Sequence, residues 1–178
     1  MAFFSLFRKS DTSPAVASAI YLALVSQARN AGFYLKRGVP DTVDGRFDLI
    51  VLHTMLLLRR LRTEGKEAAA VSQALVDTLI SDMDRSLREM GIGDMSIGKH
   101  VKKMAKAFYG RAATYEAGLD SGKDEALAEA LNTNLYRARP ADSAAVAGMI
   151  EYVLGADAAL RHATVEDVYA GRVSWPTP

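Results

Sequence analysis

The chain lacks cysteine altogether and has a single tryptophan among its 178 residues. The missing cysteines exclude disulfides, thiolate-bound zinc, iron–sulfur clusters and thiol catalysis. Neither positive nor negative charge is in clear excess, because the chain has 22 basic and 21 acidic residues. The chain as a whole is therefore no electrostatic attractant for nucleic acid or anionic membrane, and any such attraction must come from local clusters.

An uninterrupted hydrophobic run long enough to cross a bilayer is also missing. The longest apolar run, residues 49–58, is about half of the roughly 20 residues that a transmembrane helix needs. Arg59 and Arg60 follow it directly. The run therefore predicts a buried core helix.

The first residues differ from a secretory signal, because apolar side chains precede the cations instead of following them. Aromatic rings followed by Arg8 and Lys9 would suit contact with a membrane surface. We expect residues 1–13 to be a flexible or interfacial segment, followed by one helical domain over residues 14–178. The residues expected to meet lipid are Phe3, Phe4 and Phe7.

Apolar residues recur every three or four positions along most of the chain, and no stretch alternates apolar and polar residues as a strand would. Ser13 followed by Pro14 favours a helix start, and Pro40 and Gly45 mark a break. The pattern predicts an all-α fold, a single compact bundle of about six to seven helices without a sheet. The predicted helices span about 13–32, 44–62, 67–90, 94–119, 123–136 and 142–161, with a capped turn after Thr164.

No constellation of catalytic or metal-binding residues is recognisable. His53, His100 and His162 lack the spacing of a helical metal site. A Gly-x-Ser-x-Gly elbow and a phosphate-binding loop are absent too. We therefore expect that the protein is not an enzyme and that it binds neither a metal nor a cofactor. His53 is expected to be a hydrogen-bonded core residue, and the other two histidines are expected on the surface.

The notable charge feature is a segment, residues 97–115, that carries basic side chains and no acidic one. Lys99, Lys103 and Lys106 share one helix face opposite the apolar stripe, and Lys102 and Arg111 complete the set. Two interpretations of this basic segment are equally good: the side chains are simply solvated, or they form a binding surface. Because like charges four residues apart repel by a few tenths of a kcal/mol, we expect a partner such as anionic lipid, ribosomal RNA or an acidic loop.

Two other functions stay open at this point. A helical module that binds nucleic acid would rest on the basic segment alone, and without a recognisable DNA-reading motif we expect no DNA partner. The other alternative is a haem-handling protein with a helical pocket. Its candidate ligands are His53, Met55, Met83 and Met104.

Two long blocks of sequence resemble those of a known protein family. The resemblance extends over about residues 21–119. The first block comprises Tyr34, Gly38-Val39-Pro40-Asp41-Thr42, Gly45-Arg46-Phe47-Asp48, Leu52-His53 and Arg60-Leu61. The second comprises Asp82-Met83-Asp84, Leu87-Arg88-Glu89-Met90-Gly91-Ile92-Gly93-Asp94, Lys99, Lys103-Met104 and Phe108-Tyr109-Gly110-Arg111.

In residue type and spacing, the two blocks resemble the ubiquinol-cytochrome c chaperone family. This resemblance implies an all-helical chaperone that binds newly made cytochrome b, a subunit of the bc1 complex, at the membrane. A ribosome or a small co-chaperone would be further partners. Because no mitochondrial presequence is clear, we expect the bacterial cytoplasm, peripheral to the inner membrane, or the mitochondrial inner membrane in a eukaryote. The expected partner-binding residues are Asp41, Arg46, Arg88, Asp94, Lys99, Lys103, Lys106 and Arg111.

Overall fold

The computed structural model describes residues 13–137 and 139–178. No strand occurs within these ranges, and the predicted all-α bundle is confirmed. Phe3, Phe4 and Phe7, for which lipid contact was expected, lie outside the described residues. The helices are α1 Ser13–Ala28, α2 Gly32–Leu35, α3 Val43–Leu61, α4 Gly65–Glu89, α5 Asp94–Asp120, α6 Asp124–Asn134, α7 Ser143–His162 and α8 Val165–Tyr169.

The helix ends follow from local side-chain chemistry. The Thr42 hydroxyl accepts a hydrogen bond from the third amide of α3, and Asp142 and Thr164 do the same at the starts of α7 and α8. These caps satisfy amides that have no partner within the helix. Gly91, with φ of +81°, stands just after the end of α4, in the left-handed conformation that a glycine at a helix end commonly adopts.

Helix α3 runs through the centre of the bundle and contacts α1, α4, α5 and α7. The apolar run that predicted a core helix lies within it, and Leu49, Leu52 and Leu56 are completely buried. Full burial of such a side chain stabilises the fold by about 2 kcal/mol. Helix α4 follows α3 and contacts it, but α4 packs most extensively along α1.

The first helix ends at Ala28, earlier than the predicted end near residue 32. Asn30 explains the difference, because its side-chain oxygen accepts a hydrogen bond from the Gly32 amide at 2.9 Å and starts the short helix α2. The turn carries Phe33 into the core, where the ring is completely buried. The apolar stripe of Ile20, Leu24 and Ala28 did not show this break, because a polar side chain outside the stripe makes it.

The C-terminal residues pack back onto the bundle. The Trp175 ring meets the His53 ring edge-on, with centroids 5.2 Å apart. The Gln27 side chain donates a hydrogen bond to the backbone oxygen of Pro176 at 3.2 Å. The end of the chain thereby covers the region where α1 and α3 meet.

Helix α7 is the one described helix that is long and apolar enough to span a membrane by length and composition. Half of the most apolar 18-residue stretch of this helix is buried inside the bundle.

Candidate partner-binding groove

An open apolar groove lies between the start of α3, the end of α4 and the first half of α5. It joins two adjoining cavities of about 190 and 440 Å³. Although apolar, Val43 and Met90 are 64% and 53% exposed there. A concave surface with exposed apolar side chains is typical of a binding site. The floor shared by the two cavities consists of Val43, Phe47, Leu87, Met90 and Met104, and we call it the methionine groove.

Methionines make the groove adaptable. Met83 lines the smaller cavity in addition to Met90 and Met104 of the floor. The methionine side chain is unbranched and polarizable, so it adjusts to apolar surfaces of different shape. The groove is therefore suited to an apolar partner segment without requiring one exact sequence.

Basic side chains dominate the rim of the groove. Arg29 and Arg46 line the smaller cavity, and His100, Lys103 and Arg137 line the larger one. The acidic residues at the same rim are Asp82 in the smaller cavity and Asp44 in the larger one.

Several of these charges are already paired. Arg46 binds Asp41 at 2.8 Å, and Asp82 accepts a hydrogen bond from Tyr21 at 2.8 Å and pairs with Arg85. Among the side chains that the structure describes, no carboxylate pairs with Arg29 or Lys103. Two cations at the rim are thus available to an acidic partner.

A buried ion cluster beneath the groove holds α3 against α5. The Asp48 carboxylate, 1% exposed, lies 3.0 Å from Nε of Arg111 and 3.1 Å from Nη1 of Arg137. Burial raises the pKa of Asp48 to about 6, although both guanidinium groups act in the opposite direction. The two guanidinium groups are thus what favours the charged form of this buried carboxyl. The Arg111 guanidinium also lies over the Phe47 ring, 5.2 Å from its centroid, and so helps to position the groove floor.

The start of α3 is built by the residues around Pro40. A Cβ on Gly45 would lie 2.0 Å from the Pro40 carbonyl oxygen, so only glycine allows this close approach. The Thr42 hydroxyl accepts a hydrogen bond from the Gly45 amide at 3.1 Å. The hydrogen bond from Arg46 holds the pKa of Asp41 below its usual range. The spacing of the first sequence block therefore has a structural explanation.

The structure brings four of the eight expected partner-binding residues to the methionine groove. Arg46, Lys103 and Arg111 line it, and Asp41 is joined to it through Arg46. Arg111 differs from the exposed lysines with which the sequence grouped it. Its side chain is only 14% exposed, and its guanidinium is engaged by Asp48. Its position therefore supports the groove from within.

The other four expected residues lie around the groove. Lys99 and Lys106 are exposed on α5, about 40–60° around the helix from Lys103. Arg88 binds Asp84 at 2.7 Å on α4, the intrahelical pair that the sequence spacing predicts. Asp94 is the first residue of α5.

Sequence reasoning did not select Asp48 or Arg137 for the site. The signal for Asp48 was present, because it stands one turn before Leu52 on the buried face of α3, where a carboxylate needs a buried partner. Arg137 carried no such signal, since it reaches Asp48 across 89 positions of the chain. The apolar spacing of the predicted helix over residues 67–90 favours a buried Met90, and its exposure appears only in the fold.

His53 is the hydrogen-bonded core residue that was expected. It is completely buried, and its ring nitrogens lie 2.7 Å from the Leu49 carbonyl oxygen and 2.7 Å from the Tyr152 hydroxyl. Because a carbonyl only accepts, Nδ1 donates to Leu49 and Nε2 accepts from Tyr152. Burial lowers the pKa of His53 to about 4. Both nitrogens are thus occupied, which leaves none to bind haem iron without rearrangement. His100 and His162 are exposed, as expected.

Comparison with known proteins agrees with the resemblance carried by the two sequence blocks. A family model described as Ubiquinol-cytochrome C chaperone matches residues 35–175. The chain belongs to this family. The matched region continues well past residue 119, so the family likeness includes α6, α7 and α8, which the two blocks left out.

Relatives of this family member are known in animals and bacteria. It is 27% identical over 134 residues to ubiquinol-cytochrome-c reductase complex assembly factor 1 of Xenopus laevis, covering 75% of this chain and 66% of the relative. The human protein of that name is 27% identical over 157 residues, covering 88% of this chain and 52% of the relative. The chain thus spans about half to two thirds of the length of these relatives. The crystal structure of the Cbp3 homolog from Brucella abortus matches with a TM-score of 0.83 and 37% identity, covering 96% of this chain and 93% of that one.

Proposed function

We propose that this chain is a non-enzymatic assembly factor of the bc1 complex, which binds newly made cytochrome b through the methionine groove and the basic face beside it. The observation that carries this proposal is the convergence of the two family-like blocks. Phe47 from the first block and Leu87, Met90 and Met104 from the second form four of the five floor residues. The printed names of the animal relatives support the choice of complex.

The groove and its surroundings suggest how binding would work. A membrane-protein client exposes apolar segments before it is assembled, and the groove offers an adaptable apolar surface for such a segment. Exposed charges next to it would orient the client, and Arg111 would keep the floor in place. The proposed partner-binding residues are Asp41, Arg46, Arg88, Asp94, Lys99, Lys103, Lys106 and Arg111.

The proposal places the protein on the cytoplasmic face of a bacterial inner membrane. The exposed lysines of α5 would be attracted to anionic lipid or to ribosomal RNA, each of which concentrates negative charge. A ribosome that is making the client, or a small co-chaperone, would then be a second partner. Contact with lipid through Phe3, Phe4 and Phe7 belongs to the same proposal.

The decisive experiment combines capture and complementation in the native host. Tagged protein is recovered after mild crosslinking, and bc1 content is measured in a deletion strain carrying either the wild-type chain or a Lys99→Glu/Lys103→Glu variant. We expect wild-type protein to enrich cytochrome b and to restore the complex, and the double variant to do neither. Unchanged helicity by circular dichroism would show that the variant is folded.

Lys66→Glu is a matched control, because Lys66 is an exposed lysine near the start of α4. It should behave as wild type. Normal bc1 content in the deletion strain, together with no enrichment of cytochrome b, would refute the proposed function.

A further inference from the structure

The shape and charge of the methionine groove specify its occupant more closely. We propose that the groove binds an amphipathic helix of a partner protein, which lays an apolar stripe on the floor and presents acidic side chains to Arg29 and Lys103. This inference deepens the proposed function and rests on it for the identity of the partner. Binding at the groove can be measured without knowing that identity.

The apolar floor fits a helical stripe. Val43 and Phe47 occupy adjacent turns of α3, Leu87 lies in the last turn of α4, and Met90 is the residue that follows that helix. Met104 on α5 closes the other side. A groove bounded by three helices accepts the apolar face of a fourth, which contacts it through residues spaced by three, four and seven positions. Such a helix would bury Met90 and Val43, the large apolar side chains that the groove leaves most exposed.

The rim charges favour acidic residues on that helix. Arg29 lines the smaller cavity and Lys103 the larger one, so the two cations flank the shared apolar floor at different places. Within the described part of the chain neither has a carboxylate partner. A helix can carry two carboxylates at separate positions along its stripe, whereas the headgroup of a phospholipid offers negative charge at one place. Two separate cations therefore favour an acidic helix over a lipid.

Two synthetic peptides test the proposal. Both have about 18 residues, or about five helical turns, with the same leucine stripe. One has glutamate at the positions that flank the stripe, and the other has lysine there. Binding to the full-length protein is followed by fluorescence anisotropy of labelled peptide. We expect the glutamate peptide to bind at least about tenfold more tightly than the lysine peptide, and added salt to reduce the difference.

Substitutions inside and outside the groove test whether the peptides bind there. Lys103→Glu should weaken the glutamate peptide about tenfold, and Met90→Asp should remove most binding of both peptides, because it places a charge on the apolar floor. Lys66→Glu is the matched control, since this exposed lysine lies near the start of α4, at the opposite end of that helix from Leu87 of the groove floor. It should leave the affinities within about twofold of wild type.

Equal affinity for the two peptides, or binding that survives Met90→Asp, would overturn the inference. Displacement of the glutamate peptide by vesicles of phosphatidylglycerol, but not by vesicles of phosphatidylcholine, would assign the groove to lipid and would also overturn it. The same variants tested for bc1 content separate the two proposals. Loss of peptide binding with normal bc1 content would refute the proposed function alone, whereas lost bc1 content with equal peptide affinities would refute the acidic helix alone.

Discussion

The Asp48 carboxylate and the Arg111 guanidinium lie 3.0 Å apart in the interior, where they join α3 to α5. Each residue comes from a different one of the two family-like sequence blocks, and Arg137, three residues after the end of α6, adds a third charge. The same guanidinium lies over Phe47 in the groove floor. A buried ion pair thus connects the two blocks directly to the surface proposed to bind a partner.

Removing one partner of this buried ion pair should lower the free energy of unfolding. We expect Arg111→Ala to destabilise the fold by about 3 kcal/mol, because it leaves the buried Asp48 carboxylate with one cation instead of two. Urea unfolding at pH 7 measures the change. Asp41→Asn is the control, since Asp41 and Arg46 form an exposed pair and should not affect the midpoint measurably. Equal midpoints for Arg111→Ala and wild type would show that the pair does not stabilise the fold.

Gly45 should not tolerate a side chain. Because its Cβ would meet the Pro40 carbonyl oxygen at 2.0 Å, Gly45→Ala should destabilise the fold by about 1–3 kcal/mol and distort the start of α3. Gly110→Ala is the matched control on α5, where an added Cβ meets nothing within 4 Å. That substitution should stabilise the protein by about 0.5–1 kcal/mol, since alanine favours helix. Thermal unfolding of the two variants should therefore shift in opposite directions.

Stability should fall in mild acid because of His53. Its pKa of about 4 in the folded protein lies below the ordinary value of about 6.5, so the unfolded chain binds the proton more strongly. The contribution of neutral His53 is complete above pH 6.5 and is lost between pH 6.5 and 4, by roughly 3 kcal/mol in total. Urea unfolding followed by fluorescence of Trp175, the single tryptophan, measures it.

A His53→Gln variant isolates this residue from the other titrating groups. The difference in unfolding free energy between wild type and variant should narrow as the pH is lowered from 7 to 4.5. A difference that stays constant over this range would contradict the assignment.

The Tyr152 hydroxyl should contribute to the stability of the fold through its buried hydrogen bonds. It donates to Nε2 of His53 at 2.7 Å and accepts from the Gln27 side chain at 3.0 Å. Tyr152→Phe should cost about 1–3 kcal/mol, because it leaves a buried ring nitrogen without a hydrogen bond while the aromatic packing remains. Tyr109→Phe provides the comparison, since Tyr109 is 58% exposed and its loss of a hydroxyl should change stability little. Calorimetry of both variants tests the difference.

Much of the fold could be predicted because it depends on local patterns. The period of apolar residues located the long helices within a few positions, and the predicted cap at Thr164 is found at the start of α8. The break between α1 and α2 was not predicted, because it depends on one hydrogen bond that the Asn30 side chain accepts from the Gly32 amide. The family could also be predicted, since two long blocks keep both their residue types and their spacing.

The candidate site divides in the same way. The sequence by itself determined the all-α fold, the family, the buried His53 and the cationic stretch of α5, because composition, periodicity and spacing express these directly. Only the tertiary structure decided that Arg111 turns inward to Asp48, that Arg137 joins it, and that Met90 and Met104 form one open groove. Those relationships join residues far apart in the chain, and which side chains meet depends on how the helices pack, which no local pattern records.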